Sequence, residues 1–154
     1  MLESIVPIEN VITNLKSDLP IKECNYKNSF DLHDSRVKLF GLDSSCSIAI
    51  DESDDQILIL SDISATQLAE FDSLYSRMIS PNILVSRSEI SKDFLKNKAL
   101  KYFIYSSEVL PEDRYFKMLQ NLNIKVIDTY NNGAIGVNIT QDNELSIYSQ
   151  LKDF

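Results

Sequence analysis

Alternation of apolar and polar residues from Ser35 to Leu60, broken twice by turn residues, commits the centre of this chain to a β-meander. In Ser35 to Leu42, Val37 and Leu39 share one face while Arg36, Lys38 and Phe40 share the other, as a half-buried strand requires. Gly41-Leu42-Asp43-Ser44-Ser45 supplies turn residues. Cys46 to Ile50 is a second strand with Ile48 and Ile50 facing together. Glu52-Ser53-Asp54-Asp55 reads as a polar hairpin connection to a third, Gln56 to Leu60. Three antiparallel strands result, entered from Phe30.

On the N-terminal side, Val11, Ile12 and Leu15 suggest a short helix from about Glu9 to Lys16, and Pro20 predicts extended or irregular chain from Leu19 to Phe30. Beyond the meander, Ser64-Ala65-Thr66-Gln67 matches a capping box, in which the serine oxygen accepts from a free amide and the glutamine reaches back. Leu68, Phe71, Leu74, Tyr75 and Met78 then fall at helical spacing until Pro81 ends the pattern. The rhythm becomes strand, helix, strand, helix, strand: Ile83 to Ser86, Ser91 to Lys98, Tyr102 to Tyr105, Pro111 to Asn121 and Ile124 to Asp128. Such spacing permits crossover units with parallel pairing, and equally short helices on one face of a mixed sheet. Asn132-Gly133 signals a hairpin joining Ile124 to Asp128 with Ala134 to Thr140, and Glu144 to Tyr148 is a last strand. The expected architecture is a single α+β (mixed α/β) domain over residues 1–154, an N-terminal antiparallel meander followed by alternating strands and helices, with one layer of helices on a mixed sheet.

Charge bounds the partners. The net charge of -8 disfavours nucleic acid, whose phosphates need clustered Lys and Arg. From Asp31 to Asp72 ten carboxylates face two cations, Arg36 and Lys38, whereas Ser73 to Tyr130 holds nine Lys or Arg against six Asp or Glu. The chain is electrically polarised, and its acidic part suits a basic protein partner. No apolar run approaches the roughly 18 residues of a membrane span, and the first residues lack a secretory pattern. These features predict a cytoplasmic protein without a membrane partner, and Cys24 and Cys46 are then expected as reduced thiols.

Each candidate for chemistry has a plainer reading. His33 is the single histidine, and His33-Asp34 invites a dyad, but neighbours on an extended chain point to opposite faces, which favours a structural role. Asp51, Ser53, Asp55 and Asp62 fall on places of a calcium-loop pattern. Gln56, however, stands where that loop needs glycine, and Asp62 where it needs a bidentate glutamate, so no metal or cofactor is expected. Cys46 has no evident base. Gly133-Ala134-Ile135-Gly136 is a turn and a strand rather than a phosphate cradle, and Lys101 with Tyr102, Phe103 and Tyr105 reads as an ordinary strand rather than a base-stacking surface.

The run Phe30-Asp31-Leu32-His33-Asp34-Ser35-Arg36-Val37, followed by a hairpin of short strands, resembles the opening of small bacterial immunity proteins of polymorphic and contact-dependent toxin systems, over about thirty residues. The resemblance implies a non-enzymatic protein that binds one cognate toxin domain and blocks its active site, with no small-molecule substrate. The charge argument agrees: an acidic patch would steer association with a basic toxin. On this reading Asp51, Glu52, Asp54, Asp55, Asp62 and Asp72 supply the contact charges. Two other classes are a small enzyme using His33 in a cleft at strand ends, and a regulatory scaffold that oligomerises through a sheet edge.

Overall fold

The computed structural model describes residues 11–13, 21–25, 27, 29–32, 35–43, 45–139 and 145–149. Two short strands come first, β1 (Val11–Thr13) and β2 (Ile21–Glu23), paired in parallel. The helix expected from Glu9 to Lys16 is therefore replaced at its centre by a strand. Val11, Ile12 and Thr13 are all β-branched, which costs rotamer freedom in a helix and suits a pleated surface. The flanking positions of that span lie outside the described residues.

The meander then runs through β3 (Ser29–Leu32), β4 (Ser35–Leu42), β5 (Ser45–Glu52) and β6 (Asp55–Ile59), one strand more than its sequence pattern announced. The β4–β5 and β5–β6 turns both use the left-handed region, at Asp43 (φ 50°) and Ser53 (φ 52°). Next come α1 (Ala65–Tyr75), β7 (Ile83–Ser86), α2 (Lys92–Lys96), β8 (Tyr102–Tyr105), α3 (Asp113–Asn121) and β9 (Lys125–Asp128). These pair in parallel from β6 onward, so one seven-stranded mixed sheet runs in simple sequence order from β3 to β9. The fold class is α+β, as expected.

Strand order decides where the helices go. Three crossovers that each step one strand in the same direction, with the right-handedness such units prefer, place α1, α2 and α3 on one face. The core agrees: Phe40, Leu42, Ala49, Leu58, Leu84, Phe103 and Tyr105 from that face form one buried cluster with Leu68, Phe71 and Tyr75 of α1, Phe94 and Leu95 of α2, and Tyr115 and Leu119 of α3. The opposite face carries Val37, Leu39, Ile83, Ile104 and Ile127, all buried, with Ile48, Ile50, Ile57 and Val85 partly buried beside them.

Local signals explain the helix ends. Ser64 and Gln67 form the expected capping box, the Ser64 hydroxyl accepting from the Gln67 amide (3.3 Å) and the Gln67 side chain from the Ser64 amide (2.9 Å). The helix stops at Tyr75, short of Met78, so Leu74 and Met78 are exposed rather than part of its buried face. Met78 lies beyond the last helical turn, and Leu74 falls off the stripe that Leu68, Phe71 and Tyr75 define.

Two further expectations are corrected. Asn132-Gly133 does not make a hairpin. The Asp128 carboxylate accepts from the Asn131 amide (2.7 Å) and starts the single turn α4 (Thr129–Asn132), which Gly133 closes at φ 70°. The chain then leaves the main sheet and forms a separate antiparallel pair, β10 (Ile135–Ile139) with β11 (Leu145–Ser149). Cys24 and Cys46, expected as thiols, form a disulfide with Cα atoms 5.8 Å apart. Gly41 stands opposite Cys46 in the ladder, and its missing side chain leaves room for the Cys24 carbonyl to lie on the sheet. Sequence separation reveals none of this.

Tyr115 locks α3 to the connection before α2. Its hydroxyl accepts from the Ile90 amide (2.7 Å), and its ring meets Phe103 edge-on at 6.1 Å. Burial pushes its ionisation far above the ordinary 10.0, the Ile90 amide opposing that shift without cancelling it. A group whose value is raised on folding contributes stability that is complete below its unfolded value and is lost as pH climbs toward the folded one. Stability is therefore expected to fall as pH rises past 10.0, with one tyrosine resisting ionisation until the chain unfolds. Tyr115→Phe should abolish that late step in a spectrophotometric titration. It should also cost about 1–3 kcal/mol by orphaning the Ile90 amide; an unchanged titration would contradict the assignment.

Candidate functional site

The six carboxylates expected to form one contact patch are divided by the fold. Asp51, Glu52, Asp54 and Asp55 gather at the β5–β6 hairpin, on the edge where the parallel strands begin. Asp62 follows β6 at the opposite edge, on the order of 20 Å away along an extended chain. Asp72 sits on α1.

Much of the hairpin charge is also spent internally. Asp51 pairs with Lys38 and accepts from the Gln56 amide nitrogen (2.6 Å). Asp55 is buried and pairs with Lys101 (3.7 Å). Glu52 accepts from the Ser35 hydroxyl (2.6 Å), while Asp54 is exposed. Asp72 holds the Lys98 ammonium (3.0 Å), whose side chain is 4% exposed and lies over the Phe94 ring. That pair joins α1 to the segment that follows α2 and is structural. His33 and Asp34 lie outside the described residues, and the Leu32–Ser35 pair that brackets them stands at the hairpin edge.

The opposite edge, where β6, β7, β8 and β9 end, has a different character. Three successive loops meet there around a cleft of about 470 Å³ lined by Arg87, Ser106, Ser107, Glu108, Thr129 and Tyr130. Each loop is fixed by its own side chain. After β7, the Ser86 hydroxyl donates to the Ser88 carbonyl (3.0 Å) and accepts from the Ser88 amide (3.1 Å), so Arg87 rides on a closed turn. Ser88 in turn donates to Asp62 (3.2 Å), and the Ser106 amide donates to the Ser86 carbonyl (2.8 Å), extending the β7–β8 pairing past the strands. After β8, the Ser107 hydroxyl accepts from the Val109 amide (3.2 Å). After β9, Asp128 caps α4 and so presents Thr129 and Tyr130.

Charge collects on this rim too. Asp43, Asp62, Glu89 and Glu108 lie in connections at this edge and Asp128 is the last residue of β9, and none of the five forms an ion pair among the described residues. β5 begins at Ser45, and the Ser47 hydroxyl lies 3.3 Å from that of Ser61 just past β6, which brings the β4–β5 turn to the same edge. Arg87 is unpaired as well. Val109 is 71% exposed, Tyr130 61% and Leu110 38%, an apolar group flanking the cleft.

No family model matches the chain, and no curated protein matches it. Among solved structures, it is similar to the metallo-beta-lactamase fold protein YhfI from Bacillus subtilis, at 8% identity and a TM-score of 0.47 over 70% of this chain. The chain spans about half the length of that protein, 51%. Among the described residues no group of three or more His, Cys, Asp or Glu is placed to hold a metal ion, and no helix is long and apolar enough to cross a membrane.

The residues lining the cleft were not grouped by their sequence pattern. Arg87 counts there as one cation of a basic half, and the serines and Thr129 as loop. One signal does point to them. Arg87, Ser106 and Thr129 each follow directly on the last residue of a strand in a strand–helix alternation, where open α/β sheets place their ligand sites.

Proposed function

We propose that this chain is a binding protein of the immunity type, which neutralises a cognate, basic toxin domain by covering its active site, and that the contact surface is the rim at the ends of β6 to β9. The observation that carries this reading is the line of unpaired carboxylates Asp43, Asp62, Glu89, Glu108 and Asp128 beside exposed Val109, Leu110 and Tyr130. From β5 to β9 the rim is four strand spacings, about 19 Å long, which suits one face of a protein interface. Carboxylates that no internal cation neutralises speed encounter with a basic surface, and a central aromatic and aliphatic group supplies affinity. The Leu32 to Val37 resemblance supports the same class. The hairpin set contributes less, since Asp51 and Asp55 are held by Lys38 and Lys101.

The Cys24–Cys46 bridge bears on where this happens. Cytosolic thiols are kept reduced, so the bridge favours an oxidising compartment over the cytoplasm expected from the lack of a secretory pattern and of a long apolar run.

The test is association kinetics with the toxin domain encoded beside this chain. Asp62→Lys with Glu89→Lys should slow association at low salt by about 10-fold or more and flatten its salt dependence, whereas Glu52→Lys with Asp54→Lys should change it far less. Equal effects would move the surface back to the hairpin. Absence of any inhibition would remove the immunity reading itself.

A further inference from the structure

Among the described residues no buried side-chain nitrogen or oxygen lacks a hydrogen-bond partner, so the interior is internally satisfied. The cleft at the ends of β7, β8 and β9 is not. Arg87 and Glu108 line the same space with opposite charges, yet neither forms an ion pair with any described residue. The Ser107 oxygen accepts from Val109, which leaves its proton free to donate outward, and among the described residues the hydroxyls of Ser106 and Thr129 have no hydrogen-bond partner. The loops that carry these groups are nonetheless fixed, by Ser86 around Arg87, by Ser107 before Val109 and by Asp128 before Thr129. Polar groups held in place without partners are the preorganised donors and acceptors of a binding site.

We propose that this cleft binds a small zwitterion of the α-amino-acid class. Arg87, whose planar fork matches a carboxylate, takes the carboxylate together with the Ser106 and Ser107 hydroxyls. Glu108 takes the ammonium group, and the ligand's side chain lies against Tyr130 and Thr129. A simple anion would meet repulsion from Glu108, and a simple amine repulsion from Arg87; a molecule carrying both charges a few bonds apart satisfies the two at once. The volume of about 470 Å³ falls within the range of small-ligand sites. The inference goes beyond the toxin-binding reading: the cleft shares Glu108 and Tyr130 with that surface, but the proposal does not rest on it, because it stands on the cleft's own charge pair and is tested with free amino acids rather than with a toxin domain.

The experiment is titration calorimetry of the whole chain against free amino acids of apolar, aromatic and polar type, each paired with its N-acetyl form, which keeps only the carboxylate, and its amide, which keeps only the amine. At least one free amino acid should bind, with both blocked forms weaker by about ten-fold or more, as expected for loss of one charge-assisted contact. Arg87→Gln and Glu108→Gln should each weaken binding by a similar factor while leaving the thermal midpoint unchanged, since both side chains are exposed. The proposal is overturned when no free amino acid binds at millimolar concentration. It is equally overturned when the N-acetyl form binds as well as the free one and Glu108→Gln has no effect, which would describe a plain anion site. Neither result touches the association test with the toxin domain.

Discussion

Phe71→Ala should lower the unfolding free energy by about 4 kcal/mol. Phe71 is completely buried, and its ring meets Phe40 edge-on at 6.0 Å and Tyr75 at 5.1 Å, while Phe40 and Tyr75 stand 5.0 Å apart. Each such pair adds about 0.5–1.5 kcal/mol beyond the area it buries. The position of the trio matters as much as its contacts. Phe40 belongs to β4, in the antiparallel half of the sheet, and Phe71 and Tyr75 belong to α1, the first crossover of the parallel half. The Tyr75 hydroxyl also donates to the Gly41 carbonyl (2.8 Å), so α1 is fastened to the meander by both packing and a hydrogen bond. Removing the ring therefore opens a cavity where the two halves join. Since domains of this size are stable by about 5–15 kcal/mol, the loss should show as a large drop in the urea midpoint with little change of slope. Phe71→Leu, which keeps most of the volume, should recover more than half of it. A loss under about 1 kcal/mol for the alanine variant would mean that α1 does not carry the junction.

What could be read from the chain alone follows from how local each signal is. The meander, the capping box at Ser64 and the strand–helix alternation from Ile83 onward are carried by neighbouring residues, and all three are present in the fold. Parallel pairing remained one of two possibilities, because connection length permits a crossover without requiring it. The failures share one cause, which is that a distant or competing partner decides the outcome. Asn132-Gly133 has the composition of a hairpin turn, yet the Asp128 carboxylate captures the Asn131 amide first and makes a helical turn. Val11-Ile12-Thr13 has apolar residues at positions a helix could use, yet its β-branched run pairs with Ile21 to Glu23. The acidic hairpin is where the sequence places it, but Lys38 and Lys101 lie far from it in the chain or across a turn, so its charge is partly cancelled only once the sheet forms. The cleft could not be assembled for the same reason: Arg87, Ser106, Glu108 and Tyr130 come from three loops that parallel pairing alone brings together, although their places after strands mark them.

Removing the Cys24–Cys46 bridge should cost about 3 kcal/mol, because it closes a loop of 22 residues and so restricts the unfolded chain. For a domain of 154 residues that corresponds to a fall in melting temperature of about 10 °C, measured on the oxidised chain against the Cys24→Ser, Cys46→Ser double variant. The seven-stranded sheet should survive, since the buried cluster between α1, α2, α3 and the sheet includes neither cysteine. Backbone amide exchange should accordingly quicken around Cys24 and the ends of β4 and β5, and stay slow in β7, β8 and β9. Gly41 supplies the decisive comparison. A methyl at this position would run into the Cys24 carbonyl oxygen, so Gly41→Ala should destabilise the bridged protein. With the bridge removed, the Cys24 segment is free to lift from the sheet, and the same substitution should cost much less. The two changes are therefore expected to be non-additive, with a coupling of about 1 kcal/mol or more in a double-mutant cycle. Strict additivity would show that the bridge does not hold Cys24 against Gly41. The bridge would then act on the unfolded chain alone, and the approach of the Cys24 carbonyl to Gly41 would have to be maintained by other contacts.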